Sequence, residues 1–482
     1  MFDLRPVIYV IGLLVTALGV AMFVPAGLDI WLGNGQWPVF LESAVITCLV
    51  GGLTALATSN AVGQGLSIQQ TFLLTTGVWL ALPVFGAIPF LLGSTDATVT
   101  DAFFEAMSGL TTTGATVFSG LETLPAGLNL WRGILQWLGG IGIIVVAMVF
   151  LPELRVGGMQ IFRSEGFDTF GKILPRATQI SARISSVYIA LTLACGLAYA
   201  AAGMAPFEAV MHALTTVSTG GFSSTDASFS GFSGAAQYVS ALFMILAALP
   251  FVRYVQLSTG TALPLFRDSQ IRAFLATAFV VVLVLTLWRW AQSAAPSEEA
   301  FRGALFNVTS ILTGTGYASA DYQLWGGFPV ALIFFVGLIG GCAGSTSCSI
   351  KVFRYQLLFA AIKTQVRRIF SPSGIFKLRY EGRPISDDVL SSVMAFFFFY
   401  VVSLGVLAVL LSLTGLDVIT SVSGSVAAIS NIGPGLGAEI GPSGNYGDLN
   451  TTAKWLLAIG MFVGRLELLA VLALFTRSFW RS

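Results

Sequence analysis

Four short peptides in this sequence have the composition of a site that binds a dehydrated cation. They read TTTGA at 111–115, STGGF at 218–222, TGTGY at 313–317 and SNIGP at 430–434. In each peptide a hydroxyl residue stands three positions before a glycine, giving the pairs Thr111 and Gly114, Ser218 and Gly221, Thr313 and Gly316, and Ser430 and Gly433. Glycine permits the left-handed conformations that let backbone carbonyls replace an ion's hydration shell, and hydroxyls add oxygen ligands. One such peptide alone is also compatible with close helix packing in a membrane.

The four peptides recur at a near-constant spacing. Their glycines are 107, 95 and 117 residues apart. Repetition of this kind indicates duplicated structural units, and each unit reads as an apolar helix, a short helix with a glycine-rich turn, and a second apolar helix. We expect each unit to supply one quarter of a ring. The predicted divisions are an N-terminal two-helix hairpin at 1–67 and four repeats at 68–170, 171–268, 269–388 and 389–482.

The composition places this ring in a membrane. Of the 482 residues, 55% are hydrophobic and 10% are charged, and the mean hydropathy is +0.85. About 20 apolar residues cross a bilayer core of about 30 Å. Ten such segments are predicted, at 6–28, 39–59, 69–93, 129–151, 184–203, 237–257, 272–292, 328–349, 390–413 and 453–476. The first is too long for a cleaved signal peptide and lacks a small-residue cleavage site, so we expect it to be retained.

Four further segments lie between paired spans and are too short to cross the membrane and return. They are 98–113, 206–220, 299–315 and 417–432. Non-helical backbone is tolerated at membrane depth only where it lines water or is buried in protein. The fold class expected from these patterns is an all-α polytopic membrane protein, with four repeats of outer helix, pore helix and inner helix and two additional N-terminal helices.

The distribution of charge predicts an orientation. Of the 24 Lys and Arg residues, 19 fall on the side of both termini, four fall on the other side, and Arg465 lies within a span. Cytoplasmic loops carry the excess of basic residues, so both termini are predicted to be cytoplasmic. The opposite side has thirteen acids, which predict a negative outer mouth that concentrates cations, although any one of them is more simply read as a solvated loop residue. They are Asp29, Asp96, Asp101, Glu105, Glu122, Glu208, Asp226, Glu298, Glu299, Asp321, Asp417, Glu439 and Asp448.

The whole chain resembles the Trk/Ktr/HKT superfamily of potassium transporters, most closely its bacterial TrkH-type subunits. The resemblance rests on TTTGAT at 111–116, VSTGGFS at 217–223, LTGTGYA at 312–318, SNIGPGLG at 430–437 and the two extra N-terminal helices. The first three are variants of a T-x-G-[YF] filter, whereas the fourth has Asn431 and Pro434 where Thr and an aromatic residue are typical.

The resemblance implies a single chain with four pore repeats around a pseudo-fourfold axis, and a filter that binds and transports K⁺. A glycine in all four repeats is typical of potassium rather than sodium preference. The residues implied to contact the ion are Thr112, Thr113, Gly114, Thr219, Gly220, Gly221, Gly314, Thr315, Gly316, Asn431, Ile432 and Gly433. The hydroxyl residues Thr111, Ser218, Thr313 and Ser430 are expected to add ligands.

A gate is expected below this filter. The stretch GLIGGCAGSTSCS at 337–349 cannot maintain a straight helix, and the resemblance implies an intramembrane loop that closes the pore. Its predicted gate residues are Gly340, Gly341, Ala343, Gly344 and Ser345, together with Arg465 from the last span. An intramembrane arginine costs about 2.5–3.5 kcal/mol and needs a partner or water. The alternatives are a small-residue packing face for the loop and a buried structural ion pair for Arg465.

Partners and location also follow from the resemblance. The segment 351–389 has eight bases and three acids; such a stretch contacts lipid headgroups or enforces topology, and the resemblance adds docking of a TrkA-like nucleotide-binding cytosolic regulatory subunit. The chain itself has no nucleotide-binding motif. The resemblance further implies a homodimer in the bacterial inner membrane. No nucleic-acid partner is expected.

Two other function classes share some of these sequence features with a gated pore. An ion-coupled carrier, driven by protons or sodium, also uses broken helices, but carriers usually have inverted repeats and these four repeats enter with the same orientation. A membrane enzyme needs a nucleophile with a base, or a metal cluster, and the single histidine, His212, cannot form a multi-histidine site. We expect His212 to hydrogen-bond around the filter and the four cysteines to be small core residues.

Overall fold

The computed structural model describes residues 3–61, 66–146, 158, 177–292, 295–466, 471, 474 and 476–481. In these ranges the chain is almost entirely helical, and the only strands form the two-residue antiparallel hairpin of β1 (Arg379–Tyr380) and β2 (Arg383–Pro384). The described helices are α1 (Arg5–Ala21), α2 (Phe23–Leu32), α3 (Trp37–Ala57), α4 (Ile68–Gly86), α5 (Ile88–Leu92), α6 (Val99–Leu110), α7 (Ala126–Val145), α8 (Ala177–Ala201), α9 (Pro206–Val217), α10 (Gly234–Ala247), α11 (Phe251–Ser258), α12 (Leu263–Arg267), α13 (Ser269–Gln292), α14 (Glu298–Thr313), α15 (Gly327–Val336), α16 (Val352–Phe370), α17 (Asp387–Leu413), α18 (Val418–Ser430), α19 (Thr451–Arg465) and α20 (Arg477–Arg481).

In the described ranges, seven of the predicted membrane segments are helices, or nearly continuous helix pairs, long and apolar enough to span a bilayer. They are Arg5–Leu32, Trp37–Ala57, Ile68–Leu92, Ala126–Val145, Ser181–Ala201, Ser269–Gln292 and Asp387–Leu413. The first two form the predicted N-terminal helices. In each of the four repeats that follow, a short helix lies between an outer and an inner helix, and the short helices are α6, α9, α14 and α18.

The segment predicted as a straight span at 237–257 is instead sharply bent. Helices α10 and α11 meet at 89° after Ala247. Pro250 stands at the break, and proline lacks a backbone N–H and disfavours the helical conformation in the preceding residue. The bend leaves carbonyl groups of α10 without partners in their own helix.

The glycine-rich segment of the third repeat is interrupted as its sequence predicts. Helix α15 ends at Val336, and regular helix resumes only at Val352. The intervening chain, residues 337–351, is called the intramembrane loop below. It supplies hydrogen-bond partners for the backbone groups at the bend between α10 and α11. Cys342 N donates to Ala248 O (3.0 Å), Thr346 Oγ1 donates to Ala247 O (3.0 Å), and Phe251 N donates to Gly344 O (3.0 Å). Two broken helices therefore complete each other's backbone hydrogen bonds.

The short helices begin with capping signals. Thr98 and Asp101 form a reciprocal capping box before α6, Ser297 caps α14, and Asp417 caps α18. Such side chains accept hydrogen bonds from N–H groups that have no partner within the helix. Hydrogen bonds from Thr420 and from the Ile419 amide lower the pKa of Asp417 below its ordinary value. Helix α9 starts instead with Pro206, a residue favoured at the first helical position.

The last repeat packs directly against the first. Lys454 Nζ in α19 lies 2.6 Å from Asp101 Oδ1 in α6. Trp455 Nε1 donates to Thr100 Oγ1 (3.1 Å), and the Trp455 ring stacks on Phe103 with 4.8 Å between centroids. These contacts join the two ends of the series of repeats.

The N-terminal helices α1 and α3 approach through glycines. A Cβ atom on Gly51 would lie 2.6 Å from Thr16 N, and one on Gly12 would lie 2.8 Å from Ala55 N. Small residues at such contacts let the backbones of membrane helices pack closely. The neighbouring Gly52 faces open space.

We predict that Gly51→Ala lowers the melting temperature of the detergent-solubilised protein, because the added methyl group forces α1 and α3 apart. Gly52→Ala is the matched control in the same helix. It should leave stability unchanged or raise it by roughly 0.5–1 kcal/mol, the helix preference of alanine over glycine. Equal effects of the two changes on thermal unfolding would contradict the close contact.

Candidate functional site

Each short helix ends in the same backbone turn. Two residues before each repeat glycine the chain is left-handed, with φ of 53° at Thr112, 50° at Thr219, 78° at Gly314 and 50° at Asn431. The next residue donates to the carbonyl five positions earlier: Thr113 N to Ser108 O (2.9 Å), Gly220 N to Thr215 O (2.8 Å), Thr315 N to Ser310 O (2.8 Å) and Ile432 N to Ala427 O (2.9 Å). This pattern is the Schellman type of helix ending. A left-handed threonine is unusual for a β-branched residue, so tertiary contacts must hold these turns.

The four glycines place the turns in a closed ring. A Cβ atom on Gly114 would collide with Gly220 O, one on Gly221 with Thr315 O, one on Gly316 with Gly433 N, and one on Gly433 with Gly114 O, each at under 3.0 Å. The contacts therefore run from the first repeat to the second, third and fourth, and back to the first. Gly114, Gly221 and Gly316 also have positive φ values of 85°, 79° and 85°, so a side chain at these three positions is disfavoured by conformation as well as by space.

The predicted hydroxyl residues are buried beside the turns. Thr111 Oγ1 donates to Met107 O (2.7 Å), Ser218 Oγ to Leu214 O (2.8 Å) and Thr313 Oγ1 to Ser310 O (3.2 Å). Ser430 Oγ hydrogen-bonds with the Tyr400 hydroxyl (2.6 Å). A hydroxyl that donates its hydrogen to a carbonyl retains lone pairs on its oxygen. These hydroxyl oxygens are therefore chemically able to act as ligands of a cation.

A cavity of about 160 Å³ lies against the ring and is lined by all four glycines. Asp226 contributes a carboxylate to its lining and Arg132 a guanidinium. The Asp226 carboxylate accepts hydrogen bonds from Gly120 N (2.6 Å) and Leu121 N (3.1 Å). Of the acids expected at an outer mouth, Asp226 is thus one that lines this cavity.

Two other acids from that set are buried rather than exposed at the mouth. Asp29 in α2 accepts a hydrogen bond from Gly127 N (2.8 Å) in the first turn of α7. It therefore caps a helix of the first repeat from the N-terminal region. Glu105 is fully buried and forms an ion pair with Arg132, with 2.8 Å between Oε1 and Nε.

The Glu105–Arg132 pair fixes the chain that follows two of the turns. Glu105 accepts from Val117 N (2.9 Å) in the first repeat, and Arg132 Nη1 donates to Ser223 O (2.7 Å) in the second. The Arg132 guanidinium also lies 4.2 Å from the centroid of Phe222. A fully desolvated charge pair of this kind is retained only with good geometry and additional hydrogen bonds, both of which are present.

In the other short helices, neutral side chains near the position of Glu105 hydrogen-bond to the chain that follows the turn. His212 and Asn307 precede their glycines by nine residues, as Glu105 does. His212 Nε2 lies 3.1 Å from Ser223 Oγ, and Asn307 Nδ2 donates to Ser319 Oγ (2.9 Å). In the fourth repeat this position is Gly424, and the preceding residue, Ser423, accepts from Leu436 N (2.8 Å). The expected hydrogen bonding of His212 is therefore present.

Sequence reasoning missed Gln136, which contacts the second turn from α7. Its Nε2 donates to Gly220 O (2.6 Å), and its Oε1 accepts from Phe222 N (3.0 Å). Gln136 thus holds the backbone on both sides of Gly221. A signal was available, because Arg132 and Gln136 are polar residues four apart on a mostly apolar helix and so share one face.

The intramembrane loop touches the ring through Cys348 and Ser349. Cys348 Sγ lies 3.7 Å from Thr112 Oγ1, and Ser349 N donates to Ser430 O (3.1 Å). The predicted gate residues precede Cys348 in the loop and are held by hydrogen bonds. Gly340 N donates to Ile350 O (2.9 Å), Gly341 N to Ser347 Oγ (2.7 Å), Ala343 N to Gln270 Oε1 (2.9 Å) and Ser345 Oγ to Cys342 O (2.6 Å). Gly344 accepts from Phe251 N, as described above.

Arg465 meets this loop at Cys348. Its Nη1 lies 2.9 Å from Cys348 Sγ, and its Nη2 lies 3.4 Å from Gly139 O. Arg465 is buried, and its Nε has no hydrogen-bond partner among the described residues. No acid forms an ion pair with Arg465 in the part of the chain described, and Glu467 lies outside it. The alternative of a structural ion pair therefore has no support in these residues.

The family model for TrkH, described as a cation transport protein, matches residues 36–481. The chain belongs to the TrkH family. It is 41% identical over 479 residues to the Trk system potassium uptake protein TrkI of Halomonas elongata, a match covering 99% of this chain and 97% of that protein. It is 34% identical to the Trk system potassium uptake protein TrkH of Escherichia coli, with 99% of both chains covered.

The fold is also similar to a solved member of the TrkH family. The crystal structure of the potassium transporter TrkH from Vibrio parahaemolyticus superposes with a TM-score of 0.91, at 33% identity and with 100% of both chains covered. These findings confirm the expected fold class, an all-helical polytopic membrane protein of four repeats with two additional N-terminal helices. They also confirm that the chain belongs to a transporter family and is not an enzyme.

We predict that Glu105→Gln destabilises the protein by roughly 3–5 kcal/mol, because it leaves the Arg132 charge buried without a counter-ion. The matched control is Glu298→Gln, which removes the acid of a pair with Arg302 whose carboxylate side chain is 57% exposed. An exposed pair contributes about 1 kcal/mol or less. Thermal unfolding followed by tryptophan fluorescence measures both, and equal shifts would contradict a special role for the buried pair.

Proposed function

We propose that this chain is the pore-forming subunit of a potassium uptake system, with the ring of four turns as its selectivity filter. The observation that carries the proposal is the repetition of one backbone turn in four repeats that contact each other in a closed cycle. The names of the relatives, which are Trk system potassium uptake proteins, support K⁺ as the transported ion.

The physical basis of the proposed filter is the concentration of backbone oxygens at the ring. Four short helices end there, and a helix C-terminus has unpaired carbonyls and a partial negative charge. Carbonyls in this arrangement replace the hydration shell of a cation. Glycine at the contact positions allows neighbouring turns to approach within backbone contact, which fixes the diameter of the ring.

The outer cavity is the proposed entry. Its Asp226 carboxylate attracts cations, whereas Arg132 lies beside it with its charge compensated by Glu105. A negative site at the mouth of a low-dielectric passage raises the local concentration of cations. The proposed direction of entry has this cavity outside the cell and both termini in the cytoplasm.

The proposed gate is the contact between the intramembrane loop and Arg465. Arg465 is buried, contacts the loop at Cys348 and does not line the outer cavity, and a buried positive charge beside the path repels a permeating cation strongly at low dielectric. Because the loop is held by hydrogen bonds to the bend after Ala247, movement of α10 and α11 would displace Cys348 from the ring. The gate is thereby coupled to α10 and α11 of the second repeat.

We further propose regulation in trans by a TrkA-like nucleotide-binding subunit at the cytoplasmic surface, in a homodimer located in the bacterial inner membrane. The basic helix α16 and the β1–β2 hairpin extend from the gate loop toward that surface. Contacts made there would reach the gate directly through the backbone of residues 337–351.

The filter is tested by cation flux into liposomes containing the purified chain, with and without a proton gradient. We expect passive flux, with K⁺ and Rb⁺ well ahead of Na⁺. Gly114→Ser should reduce the ratio of K⁺ to Na⁺ flux, because its Cβ atom must displace Gly220 O. Gly231→Ser, at a position facing open space, is the matched control.

Unchanged selectivity in a folded Gly114→Ser variant would contradict the filter assignment. Flux that requires the proton gradient would favour an ion-coupled carrier, and repetition with an imposed sodium gradient would distinguish the coupling ion. Absence of flux in the chain alone would be followed by the same assay with the cytosolic subunit added.

Arg465→Ala should raise K⁺ leak, because it removes the positive charge next to Cys348. Arg465→Lys retains the charge and should leak less than the alanine variant. Arg289→Ala, which removes an arginine that packs on Trp325 away from the ring, is the matched control. Lower flux in Arg465→Ala, with normal protein abundance, would contradict the gate.

A further inference from the structure

A basic cavity lies between the start of α13 and the segment that follows α16. It has a volume of about 650 Å³ and is lined by Arg267, Arg272, Arg379 and Glu381, among others. The proposed filter and gate use none of these residues, although Arg379 belongs to the β1–β2 hairpin at the proposed regulatory surface. The cavity is on the same side of the molecule as the start of α13 and the end of α16, the side predicted to be cytoplasmic.

The floor of the cavity is built from hydrogen-bonded polar groups. Tyr380 Oη donates to Gln356 Oε1 (3.0 Å), and Gln356 Nε2 donates to Ser269 O (3.0 Å). Ser269 N in turn donates to Glu381 Oε1 (3.1 Å). This network joins the hairpin and α16 to the start of α13.

The charge of the cavity favours an anion. Three exposed arginines and one acidic residue line it, and the Glu381 carboxylate accepts a hydrogen bond from Ser269 N. Within the described residues, no carboxylate lies at ion-pair distance from Arg267, Arg272 or Arg379. The planar guanidinium group matches the geometry of a phosphate and binds it through paired hydrogen bonds.

The cavity also borders the lipid-facing surface. Arg272 shares one face of α13 with Leu275 and Phe279, which are 40% and 68% exposed. Phe359, which lines the cavity, is 67% exposed. Since α13 spans the membrane, exposed apolar side chains directly beyond Arg272 indicate that the arginines lie at the level of the lipid headgroups.

We propose that this cavity binds the phosphate-bearing headgroup of an anionic phospholipid, with Arg267, Arg272 and Arg379 contacting the phosphate and the acyl chains lying along Leu275 and Phe279. The combination of a cationic cavity and an adjacent apolar helix face fits an amphipathic ligand better than a free anion. The inference goes beyond the proposed transport function and requires only that α13 crosses the bilayer. Since the intramembrane loop leads directly into α16 at Val352 and residues of α16 line the cavity, occupancy of the cavity would stabilise the position of α16.

Native mass spectrometry of the purified full chain tests this proposal, using phosphatidylglycerol and phosphatidylcholine as probes. Wild-type protein should retain phosphatidylglycerol in preference to phosphatidylcholine. The double variant Arg272→Gln/Arg379→Gln should lose phosphatidylglycerol binding by about tenfold or more, given the attraction of each basic residue to anionic lipid. Arg183→Gln, which changes an exposed arginine of α8 that does not line the cavity, is the matched control and should bind as wild type.

The lysine pair Arg272→Lys/Arg379→Lys retains the charges and should restore part of the binding, which separates loss of the site from loss of folding. A second measurement uses inorganic phosphate as the probe. If phosphate alone raises the melting temperature of the wild-type protein and displaces the lipid, the site recognises a free anion and the proposal fails. Equal retention of the two lipids by wild type, or equal loss of phosphatidylglycerol in the double variant and in Arg183→Gln, would also overturn it.

Discussion

The need to satisfy backbone polar groups inside a membrane governs this structure. Water is absent from the hydrocarbon core, so each N–H and C=O outside a regular helix needs a partner from the protein. The chain leaves regular helix at four turns, at the bend after Ala247 and at the intramembrane loop. In the described residues, each turn donates to a carbonyl of its own short helix, whereas the bend and the loop exchange three hydrogen bonds with each other.

This constraint explains why polar side chains surround the ring. Two of the turns hold threonine in a left-handed conformation, and the strain of such residues is of order 1–3 kcal/mol each. Gln136, Arg132 and Glu105 fix the chain on either side of two turns. His212 and Asn307 act at positions equivalent to Glu105, and Ser423 acts from the neighbouring position. The repeats therefore preserve one backbone geometry with different side chains, because the geometry requires a hydrogen bond at that point rather than a particular residue.

The sequence predicted the parts of the fold that depend on local composition. Glycine and hydroxyl spacing located all four turns, and the glycine-rich stretch at 337–349 predicted the broken helix. Pro250 was a local signal for the bend that the hydropathy reading overlooked. Contacts between distant segments were not predictable: Asp29 caps α7, and Glu105 pairs with Arg132, although counting acids placed both at the outer mouth. The contact of Arg465 with Cys348 likewise depends on how the third and fourth repeats pack, which no spacing in one repeat reveals.

The contact between Lys454 and Asp101 lies at the one junction of the ring where no polypeptide segment joins the two neighbouring repeats. Successive repeats are tethered by the polypeptide, whereas the first and fourth repeats meet without a connecting segment between them. Lys454, Trp455 and their partners are thus the noncovalent contacts that close the ring between the fourth and first repeats. A force that pulls the repeats apart is resisted at this junction by noncovalent contacts alone, so one of the four junctions differs mechanically from the other three.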